Sequence, residues 1–250
     1  MKLKELIAVV IGTFILIILG DGVVANVVLA PKLNGVSFNW NTITIGWGMA
    51  VVMSAFITGA HNNPAVTLAL AVKGQFPWSK VLPYIIAEFV GAFLGALGVY
   101  LAYRDGLAAT GMPNVWSTGP GSVFGNAWAG SASSNPLGTY SLLTASITEF
   151  LGTVILMWGV MAAGDARNSK IQHLGGILVG GTVLAIGLCL GGPSGYSINP
   201  ARDLGPRIFG ALAGSQGLFD GIYWLIPPVL IPFIAAPIGA FLYDLFTPSE

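Results

Sequence analysis

The sequence predicts an all-α membrane protein of six transmembrane helices and two half-helices, arranged as an inverted repeat, and three observations carry that prediction. The first is composition: of 250 residues, 54% are hydrophobic and 8% charged, against roughly 25% charged in a soluble domain. Mean hydropathy is +0.79. The second is a tripeptide that occurs twice, Asn63-Pro64-Ala65 and Asn199-Pro200-Ala201, each time where an apolar run breaks. The third is the partition of Lys and Arg among the loops, which assigns the two sides of a membrane.

Taken in order, the first span covers about residues 6–29. Gly20-Asp21-Gly22 is expected to interrupt it. The run is read as a span and not as a signal peptide, because it is long and carries no convincing small-residue cleavage site. Span 2 covers about residues 42–57 and span 3 about 81–103, with a polar turn, Lys73 to Lys80, before the latter. A Gly-, Ser- and Asn-rich connection from Arg104 to Tyr140 separates the halves. Span 4 is expected at about 142–163, span 5 at 174–190 and a Pro-rich span 6 at 224–246.

Each Asn-Pro-Ala should begin a helix. Asn is a strong N-cap, and Pro at the first helical position lacks only an N–H that would be orphaned there anyway. The two helices, about residues 65–72 and 201–212, are too short to cross ~30 Å of hydrocarbon at ~1.5 Å per residue. The irregular backbone in front of a half-helix is tolerated at membrane depth only where protein or a water-filled cavity satisfies it. Two such elements in matching places imply a polar site near the midplane, with the positive helix N-termini facing it.

Lys2, Lys4, Lys73, Lys80, Arg167 and Lys170 fall on one side and Lys32 and Arg104 on the other, so both termini are expected in the cytoplasm, with the cell membrane as the location. Three spans per half is an odd number, so the second half is inverted relative to the first. Ile11-Gly12-Thr13 recurs as Leu151-Gly152-Thr153 at a similar distance before each Asn-Pro-Ala. The expected organisation is one channel domain of two repeats, about residues 1–125 and 140–250.

Composition also excludes classes. Ten Lys plus Arg balance ten Asp plus Glu, leaving no basic surface for nucleic acid. Cys189 is the single cysteine, so neither an intramolecular disulfide nor a cysteine metal cluster can form; in an apolar span its expected role is packing. His61 and His173 are too far apart for a local zinc motif. No nucleophile–base pairing is legible and no cofactor is expected, so the chain does not read as an enzyme.

These motifs resemble the aquaporin, or major intrinsic protein, family over essentially the whole chain. Asn199-Pro200-Ala201-Arg202-Asp203, with Arg207 shortly after and Pro237-Ile238 in span 6, is similar to the aquaglyceroporin or glycerol facilitator branch. The resemblance implies a homotetramer in membrane lipid, with a pore in each subunit. It implies that Asn63 and Asn199 present amide donors to the lumen, and that Arg202 stands in an outer filter with Tyr196 as an aromatic wall. Gly187 is the matching span-5 position, where the missing side chain leaves room. The carbonyls of Gly59, Ala60, His61 and Asn62, and of Gly195, Tyr196, Ser197 and Ile198, would line the acceptor wall. The span-2 filter position is open between Ile43 and Trp47, which lie one helical turn apart on the same face.

The chain departs from the family's pattern at Val9, where a buried Glu is usual; Glu149 keeps the second such position. Glu88, where Gln is common, is expected to supply the missing carboxylate to the first loop. Asp203 is expected to be structural support. The expected function is a passive channel for glycerol, small polyols, water and hydroxy acids of similar size such as neutral lactic acid, excluding protons and ions. A proton- or sodium-coupled secondary transporter is the alternative, since broken helices and inverted repeats occur there too.

Overall fold

The computed structural model describes residues 2–59, 61–119 and 140–247. The long helices are α1 (Leu3–Asn34), α2 (Trp40–Thr58), α4 (Trp78–Ala109), α5 (Leu142–Gly164), α6 (Gly175–Ser194) and α8 (Ile231–Phe246). The half-helices are α3 (Pro64–Val72) and α7 (Pro200–Ala213). A 3-10 segment, Ala166–Leu174, leads into α6, and a π turn, Ile226–Leu230, leads into α8. Among the described residues six helical stretches are long and apolar enough to cross a membrane.

The last four helices repeat the pairing of the first four. α1 packs on α2 and α4 as α5 packs on α6 and α8; α7 lies against α4 as α3 lies against α8. The two half-helices also touch one another, and α2 meets α6 across the middle. Small residues make these approaches possible, as expected where lipid supplies no hydrophobic drive between helices. A Cβ on Gly91 would meet the Val10 carbonyl oxygen at 2.4 Å, and one on Gly180 would meet that of Gly48 at 2.6 Å.

The structure corrects the expected break in the first span, because α1 runs unbroken through Gly20-Asp21-Gly22 and past Pro31. Gly20 is a packing site. A Cβ there would lie 2.4 Å from the Trp47 ring, so its hydrogen admits the indole from α2. The spans also extend beyond their apolar cores. α1 and α4 each have 32 residues, or about 48 Å of helix, more than the hydrocarbon requires, and hydropathy does not mark ends that continue into water.

The half-helices begin as the capping argument predicts. Asn63 Oδ1 accepts from the Ala65 N–H at 3.0 Å, and Asn199 Oδ1 accepts from Ala201 and Arg202 at 3.1 and 3.2 Å. Lys80 pairs with Glu5 at 2.8 Å, and Lys73 pairs with Asp244. These two ion pairs gather the start of α1, the end of α3, the start of α4 and the end of α8 at one end of the molecule, called the inner end below. Asp165 lies there too, accepting from the Arg167 side chain and backbone and from the Tyr243 hydroxyl. The Arg167 guanidinium holds its carboxyl well below the usual range. Cys189, on α6, is exposed, so the packing role expected for it is not seen within the chain.

Candidate functional site: a lumen between the half-helices

The N-termini of α3 and α7 are joined by a reciprocal pair of hydrogen bonds. Asn63 Nδ2 donates to the Ile198 carbonyl and Asn199 Nδ2 donates to the Asn62 carbonyl, both at 2.8 Å. Each Asn therefore caps its own helix with Oδ1 and holds the opposite loop with one N–H. The second N–H of each amide remains, and both residues line a cavity of about 220 Å³. That cavity has two chemically different walls. Leu16, Val51, Leu156, Val160, Val179 and Val183 form an apolar side, while His61, Asn62, Asn63, Ser197, Asn199 and Arg202 bring polar groups.

At the outer end of this cavity the Arg202 guanidinium lies over the Trp47 indole, 3.9 Å from the ring centroid. Such a cation–π contact fixes a planar cation without consuming all of its donors. A second, smaller cavity of about 10 Å³ lies beyond it, lined by Ile43, Gly195 and others. Tyr196 and Arg202 are the residues that line both cavities. The two span-2 candidates are thus separated by depth: Trp47 stands at the level of Arg202, and Ile43 one turn farther out.

Gly187 lines neither cavity. A Cβ there would come within 2.8 Å of Tyr196 Cζ and 2.9 Å of Thr44 Cγ2, so the room left by the glycine is occupied by the Tyr196 ring. Its carbonyl accepts from Trp40 Nε1 at 2.9 Å, and Trp40 meets Tyr196 edge-on at 5.7 Å. Gly187 acts on the lumen through Tyr196. Replacing Gly187 with Phe is expected to push that ring inward, because the space is already filled, reducing glycerol re-swelling of proteoliposomes strongly while part of the water flux survives, since water needs a smaller opening; the overpacking should also cost ~1–3 kcal/mol of stability. Glycerol flux unchanged at matched protein insertion would show that Tyr196 does not bound the lumen.

The outer loop is held by one carboxylate. Glu149, fully buried, accepts the N–H of Ser197 through Oε1 and that of Ile198 through Oε2, both at 2.7 Å. Tyr196 and Ile198 have φ of 43° and 46°, a left-handed conformation unfavourable for side chains with a Cβ and most of all for a β-branched one. The Glu149 clamp fixes this backbone, and the Ile198 carbonyl thereby reaches Asn63. The Tyr223 hydroxyl, donating to the Ser194 carbonyl at 2.6 Å, secures the approach to the same loop.

The inner loop is held differently. Glu88 Oε1 accepts from the Thr67 hydroxyl at 2.7 Å, and the Asn63 backbone N–H is directed at the same carboxylate. Thr67 Oγ1 in turn lies 2.9 Å from His61 Nδ1. A hydroxyl whose proton goes to Glu88 receives the Nδ1–H of His61. The carboxylate thus reaches the loop through a threonine and a histidine, because it projects from α4 and not from α1. The His61 ring is also packed on Phe76 and Tyr84, at 4.6 and 5.3 Å, so it both lines the cavity and supports the loop. Asn62 Nδ2 donates to Ser54 Oγ at 3.0 Å, which donates to the Gly12 carbonyl at 2.8 Å.

Of the eight carbonyl positions, His61, Asn62, Tyr196, Ser197 and Ile198 line the large cavity, Gly195 lines the small one, and Gly59 lines neither. Ala60 lies outside the described residues. Gly59 and Gly195 occupy equivalent places, ending α2 and α6 with φ of 58° and 86° and donating to the Ala55 and Gly191 carbonyls. Asp203 forms a fully buried pair with Arg207 at 2.7 Å and also accepts the backbone N–H and hydroxyl of Thr118 at 2.8 and 2.6 Å. Thr67, Ser54, Trp40 and Asp21 were missed as site residues by sequence reasoning. Asp21 alone carried a usable signal, since a carboxylate in a transmembrane run is rarely idle.

A chain of six spans, with two half-helices that meet cap to cap beside a polar lumen, defines a membrane pore protein. The family model for the major intrinsic proteins matches residues 1–243, and the chain belongs to that family. It is 44% identical over 245 residues to the probable glycerol uptake facilitator protein of Thermotoga maritima, covering 94% of this chain and 95% of the relative. It is 40% identical over 251 residues to the glycerol uptake facilitator protein of Streptococcus pneumoniae R6, covering 98% of this chain and all of the relative. Among solved structures, the X-ray structure of the aquaglyceroporin from Plasmodium falciparum superposes with a TM-score of 0.82 at 30% identity, covering 97% of this chain and 96% of that one.

Proposed function

We propose that the protein is a passive channel in the cell membrane for glycerol, other small uncharged solutes and water. The observation that carries this reading is the two-sided lumen, apolar along one wall and lined along the other by fixed donors and backbone acceptors. A polyol has the same division between carbon chain and hydroxyls. The relatives named glycerol uptake facilitators support the choice of solute. Neutral lactic acid, with similar size and the same mixture of donors and acceptors, belongs to the same solute class.

The Asn63 and Asn199 amides, each with one N–H committed, offer a passing oxygen two donors at the midpoint. Occupying its lone pairs there breaks a continuous proton wire, and the positive ends of α3 and α7 raise the barrier to cations. Arg202 and Trp47 with Tyr196 form the selectivity filter. The two halves are inverted repeats, both termini face the cytoplasm, and four subunits assemble in lipid. Outward-facing Ile45, Met49 and Phe56 on α2 and Leu101 on α4 suit such surroundings.

A coupled transporter would need a carboxylate that exchanges protons with the pathway. Glu88 and Glu149, on which that alternative would rest, line neither cavity. Proteoliposomes should re-swell in glycerol down its gradient, without saturation over a wide range; glycerol accumulation driven by a proton or sodium gradient alone would overturn the channel reading. Arg202→Val should raise cation or proton leak on the order of 100-fold, because one charge ~6 Å from the axis at an effective dielectric of ~20 is worth about 3 kcal/mol. A pH-dye assay on the same vesicles reads this directly, and no added leak would remove Arg202 as an electrostatic barrier.

A further inference from the structure

Asp21 stands apart from every group discussed so far. It is 1% exposed, and neither carboxylate oxygen has a hydrogen-bond partner among the described residues. It lines the small outer cavity together with Arg202 and Tyr196. The other polar side chains of that cavity are engaged: Trp40 Nε1 donates to Gly187, Thr118 Oγ1 to Asp203, and Ser117 Oγ to Asn114. The Tyr196 hydroxyl, like the Asp21 carboxylate, has no partner. Leaving such groups dry and unpaired is costly, and a space of about 10 Å³ is the size of one water or one hydroxyl group.

We propose that Asp21 is a specificity-determining residue that accepts a hydrogen bond from one hydroxyl of the solute in this notch, opposite the donors of Arg202. When no polyol is passing, a water fills the notch. A solute must shed water before it reaches the level of Trp47 and Tyr196, and an unreplaced hydroxyl hydrogen bond raises that barrier. Asp21 replaces the lost water at the place where the lumen narrows. Either protonation state of the carboxyl retains an acceptor oxygen. The notch therefore favours solutes with an O–H donor beside a carbon that can rest on the Tyr196 ring. This inference deepens the glycerol-channel reading and rests on it.

The test uses the full-length protein in proteoliposomes and follows glycerol and water flux separately. Asp21→Val removes the acceptor at nearly constant volume, and the glycerol-to-water permeability ratio should fall by up to about tenfold, the worth of one hydrogen bond. Asp21→Asn keeps an acceptor oxygen and should hold the ratio within about threefold of the parent, with water flux within about twofold. Infrared difference spectra of the unaltered protein should show a carboxyl band shifted by added glycerol, and that shift should be absent in Asp21→Asn. An unchanged ratio in Asp21→Val, or a glycerol-insensitive Asp21 band in a protein that conducts glycerol, overturns the proposal. Should Asp21→Val fail to insert, the spectra of the parent protein still decide. Absence of glycerol flux in the parent would instead overturn the channel reading itself.

Discussion

Arg207→Met is expected to lower the thermal midpoint in detergent by about 10 °C. Arg207 and Asp203 are both fully buried, and the guanidinium donates to Asp203 Oδ1, to the Thr118 carbonyl at 2.8 Å and to the Leu218 carbonyl. Truncating one member of a buried pair leaves the other charged and unpaired, at a cost of about 3–5 kcal/mol, which in a chain of this length corresponds to about 2–4 °C per kcal/mol. The double variant Arg207→Met/Asp203→Leu should recover part of the loss, since it removes the stranded charge, although Thr118 then loses its acceptor. A differential scanning fluorescence series reads all three. A single variant as stable as the parent would mean that the pair does not fasten the 113–119 segment to α7.

Glu149→Gln is expected to combine lower stability with a misaligned lumen. The carboxylate accepts two N–H groups at 2.7 Å; a glutamine accepts one and turns its own N–H₂ towards the other. Losing the charge-assisted pair costs about 2–4 kcal/mol, and the left-handed backbone at Tyr196 and Ile198 loses its restraint. Because the Ile198 carbonyl holds Asn63 and the Tyr196 ring bounds the outer lumen, glycerol flux per folded channel should fall together with the thermal midpoint. Glu88→Gln should be milder, about 1 kcal/mol, since Glu88 accepts from a threonine hydroxyl, which an amide oxygen can also accept. Equal effects of the two substitutions would contradict the different ways in which the loops are held.

The half-helix starts were legible because their determinants are local. An Asn N-cap and a Pro at the first helical position act within three residues of one another, and Asn63 and Asn199 cap α3 and α7 as read. The spans were legible because lipid enforces a continuous apolar run, whatever it later packs against. Glu149 was legible only through the family resemblance, which implies a buried Glu there, since the matching position of the first half is Val9. Asp21 was seen only as a break in a helix, because a Gly-Asp-Gly triplet has the local chemistry of a turn; the Trp47 ring that needs Gly20 to be bare lies on another helix.

The sequence by itself determined the class of molecule, the number of spans, the two capped half-helices and the residue types that meet at the centre. Each of these follows from hydropathy or from hydrogen bonds closed within a few positions along the chain. Tertiary structure alone set Trp47 against Arg202 and Ile43 one turn farther out, placed the Tyr196 ring in the space that Gly187 leaves, linked Glu88 to its loop through Thr67 and His61, and left Asp21 facing the outer cavity. Those outcomes depend on which side chain first fills a shared volume between helices, and close packing settles that competition in three dimensions, where distance along the chain carries no information.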